Sequence, residues 1–75
     1  MTGSVFTGKY ERLRELLVQA RKAGGLTQAD LASKLGRPQS FVSKYERGER
    51  RLDVVEFLQI VEALSLRPGK ILEQI

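Results

Sequence analysis

Gln39, Ser40, Ser43, Lys44 and Arg47 follow one another at steps of one and three, a spacing that lines them along one side of a helix whose other side carries Val42 and Tyr45. One amide, two hydroxyls and two cations, with no carboxylate among them, make a surface rich in hydrogen-bond donors and positive charge. Such groups donate to the base edges and phosphates of a nucleic acid, and glutamine suits a bidentate pair with adenine. Glu46 is the acidic exception and lies toward the inner side. Most other chemistry is excluded by composition. The chain has no cysteine and no histidine, which removes thiolate nucleophiles, imidazole bases and the usual zinc ligands. No paired acid–base site and no Gly-rich phosphate loop is present, so no enzyme, cofactor, metal or small-molecule ligand is expected.

A polar helix face is ordinarily just solvated, and three further features argue for more here. The face lacks acids. Arg50 and Arg51 follow it in the adjoining loop. Thr27 and Gln28 stand at the start of another helix, where free amides and the helix dipole attract phosphate. The charge is uneven along the 75 residues: 37–51 hold five basic and two acidic groups, whereas 53–75 hold two basic and four acidic ones, within a total of +4. A basic front with an acidic back fits a polyanion-binding face.

The elements that must position these side chains are all helical. Residues 1–8 show no period and read as a mobile tail, leaving 9–75 as one domain. From Lys9, Tyr10, Leu13, Leu16, Leu17 and Ala20 form one apolar stripe that ends at Gly24-Gly25. Thr27 caps a second helix with Asp30 as its reciprocal partner, Leu26 and Leu31 suit a hydrophobic staple, and Gly36 stops that helix near Leu35. Pro38 suits the first turn of a third helix, which Gly48 ends. Asp53 and Glu56 form the cap of a fourth, striped by Phe57, Ile60, Val61 and Leu64; Pro68 opens a short fifth. No strand pattern, internal repeat or membrane-length apolar run occurs, so the expectation is an all-α, five-helix domain in the cytoplasm with no membrane partner.

The string Gly25-Leu26-Thr27-Gln28-Ala29-Asp30-Leu31-Ala32, then Leu35-Gly36, then Gln39-Ser40-Phe41-Val42-Ser43-Lys44-Tyr45-Glu46-Arg47-Gly48 closely resembles the Cro and phage-repressor type of helix-turn-helix proteins, the XRE family. The likeness runs through about 60 of the 75 residues, to Leu72. It implies a lambda-repressor-like fold and a transcriptional regulator that binds operator DNA as a homodimer, with a recognition helix at about 38–47 in the major groove. The matching positions imply base contact at Gln39, Ser40, Ser43 and Lys44 and phosphate contact at Gln28 and Arg47. Thr27, Arg50 and Arg51 join the phosphate set from the reading of the residues themselves. Pro38 stands where the family commonly has Ser or Thr, which shifts the cap by one residue and draws Arg37 toward phosphate. The resemblance also implies an ion pair between Arg21 and Glu46, and partner cations give an acid beside a DNA-binding face a physical reason to exist.

Ile71, Leu72 and Ile75 are more apolar surface than a short last helix easily hides. With Leu66 they suit a two-fold subunit contact, which sets half-sites roughly 34 Å apart; the alternative is that they close the monomer core. The leading expectation is thus a regulator made of the DNA-binding domain alone, such as a restriction-modification controller or an antitoxin. A helical module that binds protein instead of DNA is the competing class, and loss of the cationic face would favour it.

Overall fold

Two reciprocal caps start helices where the sequence places them. In the structure, a computed structural model that describes residues 2–75 and side chains from Gly8 onward, the Thr27 hydroxyl accepts from the Asp30 amide at 3.0 Å while the Asp30 carboxylate accepts from the Thr27 amide at 2.9 Å. Asp53 and Glu56 repeat the arrangement at 2.7 and 3.0 Å. Each cap satisfies two of the donors that a helix start leaves open. They introduce α2 (Gln28–Leu35) and α4 (Val54–Ala63); the remaining helices are α1 (Thr2–Ala23), α3 (Gln39–Glu46) and α5 (Pro68–Leu72).

Two boundaries differ from expectation. Helix α1 begins at Thr2 instead of Lys9; no proline interrupts the segment, and extending a helix is far easier than nucleating one. Met1 and the side chains before Gly8, on which the expected tail largely falls, lie outside those described. Pro38 is the N-cap of α3, not part of its first turn, because its ψ of 152° is extended. Its ring cannot cap, so α3 starts without a side-chain acceptor for its first amides.

Leu16 and Leu17 of α1, Leu31 and Ala32 of α2, Phe41, Val42 and Tyr45 of α3, Phe57, Ile60 and Val61 of α4, and Ile71 of α5 form the core. Each large member, fully buried, is worth about 1.5–3 kcal/mol of transfer free energy. Helix α2 packs on α3 and α4, and α1 packs on α3 and α5. The α2–α3 turn depends on Gly36 at φ 67°, which lets the Arg37 amide reach back to the Ala32 carbonyl at 3.0 Å. Gly48, at φ 81°, ends α3. A Cβ there would also stand 3.1 Å from the Arg14 guanidinium, which holds the Glu46 carbonyl at 2.8 Å and so ties α1 to the end of α3.

Ile71 and Leu66, expected at a subunit contact, are placed otherwise. Ile71 is 3% exposed and closes the core, and Leu66 packs half-buried against it. With Pro68 at the first position of a five-residue helix, Ile71 is the one position that reaches inward. Leu72 and Ile75 remain exposed, as do Val54, Val55 and Leu58 on α4.

Candidate nucleic-acid interface

Helix α3 is eight residues long, and burial divides it cleanly. Phe41, Val42 and Tyr45 face inward, while Gln39, Ser40, Lys44 and Arg47 are exposed and Ser43 is half-buried between them. Phe41 meets Tyr45 edge-on with ring centroids 5.5 Å apart, a favourable aromatic geometry. The Tyr45 hydroxyl is buried without a hydrogen-bond partner among the described residues, and burial pushes its pKa up, keeping it protonated. Lys44 has no ionic partner among the described residues.

Glu46, which would repel phosphate if free, is folded away. Arg21 donates to it through Nε at 2.7 Å and Nη2 at 3.1 Å, and Gln28 Nε2 adds a third bond at 2.9 Å. Arg21 completes its own bonding on the Leu26 carbonyl at 2.8 Å. The two charged side chains are 9% and 7% exposed. This pair therefore links α1, the α1–α2 turn, the start of α2 and the end of α3, and it orients Gln28 at the head of α2.

The other cations of the expected phosphate set are each held by a partner within the chain. Arg47 grips Glu49 through Nε at 2.8 Å and Nη2 at 3.2 Å and donates to the Ser43 hydroxyl at 2.7 Å. That contact also holds the Glu49 carboxyl below the usual carboxylate range. Arg51 lies over the Tyr10 ring at 4.2 Å, and the Tyr10 hydroxyl accepts from the Leu52 amide at 3.1 Å. Thr27 is committed to its cap. Arg50 binds both oxygens of Glu56, at 2.9 and 2.8 Å, and Arg37 reaches the same carboxylate at 3.4 Å. Both of these guanidiniums stand over the Phe41 ring, 4.4 Å from its centroid for Arg37 and 4.8 Å for Arg50. Hydrogen bonding from Arg50 first, then from the Asp53 amide, takes the Glu56 pKa down from 4.5 to about 2.

The Arg21–Glu46 pair implied by the family resemblance is present, and the outer face of α3 follows from its residue spacing; the sequence marks Glu56 only as a cap and gives Phe41 no role. Phe41 had a local signal, since with Val42 and Tyr45 it completes an apolar triad at helical spacing. Nothing local marks Arg37, Arg50 and Glu56 as neighbours. Among the described residues no cluster of metal-ligand side chains occurs, and no helix is long and apolar enough to cross a membrane.

A helix-turn-helix family model matches residues 17–71. Among solved structures, an XRE-family like protein from Pseudomonas syringae pv. tomato is 47% identical, with a TM-score of 0.92 over 96% of this chain and 88% of that one. The restriction-modification controller protein C.AhdI from Aeromonas hydrophila is 31% identical, with a TM-score of 0.77 over 85% of this chain and 97% of that one. None of the curated proteins matches. The matched segment runs from the α1 core residue Leu17 to the α5 core residue Ile71 and so takes in the whole helix-turn-helix with its polar outer face and its folded-away carboxylates: the chain belongs to the XRE family of helix-turn-helix, DNA-binding transcription regulators.

Proposed function

We propose that the chain reads a specific duplex sequence by laying α3 in the major groove, with Gln39, Ser40, Ser43 and Lys44 on base edges. Thr27, Gln28, Arg37, Arg47, Arg50 and Arg51 face the phosphates that flank the groove. The observation that carries this reading is the outer face of α3, where donors and cations stand exposed while Glu46 is withdrawn into its ion pair. Phosphate contacts position the helix and base contacts specify the site. Arg47 and Arg51, now held by Glu49 and Tyr10, exchange those partners when phosphate arrives, and Arg37 and Arg50 share theirs, which charge-assisted hydrogen bonding favours.

Two copies act together on a two-fold symmetric operator. Leu72 and Ile75 with the exposed apolar side chains of α4 supply the contact, for exposed apolar groups gathered on adjoining elements suit a subunit interface. The likeness to a restriction-modification controller protein supports a regulator of transcription, acting in the cytoplasm. Selection of bound sites from random duplex DNA tests the proposal. The expected result is a paired, inverted half-site with centres about one helical turn, roughly 34 Å, apart; recovery of unenriched sequence would contradict it.

A further inference from the structure

We propose that Glu56 is a positioning residue for DNA binding: it holds Arg37 and Arg50 against Phe41 so that both present their spare N–H groups to backbone phosphate beside the start of α3. The inference rests on the DNA-binding reading above and adds a role for an acid, which charge alone would count as harmful to that reading. The donors and acceptors decide the matter. Glu56 Oε1 accepts from the Asp53 amide at 3.0 Å and from Arg50 at 2.9 Å, and Oε2 accepts from Arg50 at 2.8 Å and from Arg37 at 3.4 Å. The carboxylate is thus saturated, and its side chain is only 9% exposed. A phosphate approaching from outside meets two cations and not the acid.

The arginines, by contrast, keep unused donors. Arg37 spends a single long bond on Glu56, leaving Nε and Nη1 without acceptors among the described residues, and its side chain is 38% exposed. Arg50 keeps Nε and is 40% exposed. Two guanidiniums against one carboxylate leave a net positive charge, and their positions over the Phe41 ring, together with the shared carboxylate, restrict where both side chains can go. Arg37 immediately precedes Pro38, the cap of α3, so the cluster borders Gln39 and Ser40. Holding two long side chains in place before binding removes much of the ordering entropy that phosphate capture would otherwise cost.

Fluorescence anisotropy of a labelled duplex recovered by the selection, measured over a range of salt concentrations, tests this with Glu56→Gln. Glutamine still serves the capping box on the Asp53 amide, and thermal melts by circular dichroism check that the variant is folded. Simple electrostatics predicts tighter binding once the negative charge is gone. The positioning role predicts binding about 5- to 20-fold weaker, with a shallower salt dependence. It also predicts that Glu56→Gln causes no further loss in an Arg37→Ala/Arg50→Ala background. Arg37→Ala alone, at a half-exposed site, should lower the salt slope by about one. Equal or tighter binding by Glu56→Gln, the same loss with and without the arginines, or an unchanged slope for Arg37→Ala overturns the inference while leaving DNA binding intact. A wild-type chain that binds no duplex overturns the DNA-binding reading and the inference together.

Discussion

Arg21 and Glu46 are enclosed charges behind the interface, and their environment sets what removing either would do. Glu46 accepts three side-chain bonds, so losing Arg21 leaves a shielded carboxylate with only Gln28. Arg21→Met should cost about 3 kcal/mol, as for a broken buried pair, whereas Arg21→Met with Glu46→Leu should recover much of that loss. A double-mutant cycle by urea denaturation measures the coupling, and a value near zero would reject the pair as a structural tie. Glu56 gives a different signature, because its pKa falls to about 2 on folding. A depressed carboxylate contributes stability that is complete above the ordinary carboxylate range and is lost as the pH drops through 4.5 toward 2. Screening at the half-exposed arginines keeps the amount to on the order of 1 kcal/mol. The urea midpoint of the wild type should therefore fall toward that of Glu56→Gln between pH 5 and pH 2, with the gap closing at the acid end. A gap that stays constant would show that Glu56 is not held ionised by the fold.

At the scale of the helices, the ends of the elements follow from local chemistry and the contacts between elements do not. Thr27 with Asp30, Asp53 with Glu56, Gly36, Gly48 and Pro68 all sit where the sequence puts them, because a cap or a left-handed turn involves residues within a few positions of one another. Pro38 took the N-cap instead of the first turn, a difference of one ψ angle that composition does not encode. The cluster on Phe41 was not legible for a deeper reason: Arg37, Phe41, Arg50 and Glu56 span 20 positions and meet only after α2, α3 and α4 have packed. The same holds for Ile71, whose apolar character was plain but whose partner, core or second subunit, is decided by tertiary packing. One turn carries local strain. Ser65 adopts φ 60° at the end of α4, where the Leu66 amide reaches back to the Val61 carbonyl at 2.9 Å. Left-handed backbone disfavours a Cβ, so Ser65→Gly should raise stability by about 0.5–1 kcal/mol and leave DNA affinity unchanged. Thermal denaturation beside the binding isotherm checks both halves of that statement; a destabilised variant would mean the serine side chain has a role at this turn.

At the scale of the whole molecule, the five helices and the 11 buried apolar side chains among the described residues make a frame on which the polar face of α3 is held from behind by Arg21–Glu46 and beside its start by Arg37 and Arg50 on Phe41. The apolar side chains left over by that frame, Leu72 and Ile75 on the C-terminal segment and Val54, Val55 and Leu58 on α4, account for the proposed pairing of two chains. Sedimentation equilibrium should give twice the 8.4 kDa chain mass at micromolar concentration, and Leu72→Glu should return the monomer. A wild type that stays at the monomer mass would confine pairing to the DNA. Whether α3 meets the bases is read by amide correlation NMR during titration with the duplex recovered by selection. The largest shifts should fall on Gln39, Ser40, Ser43 and Lys44, followed by Gln28 and the 47–51 loop. Shifts confined to α4 and α5, with α3 undisturbed, would place the DNA on another face of the molecule and rule out α3 as the recognition helix.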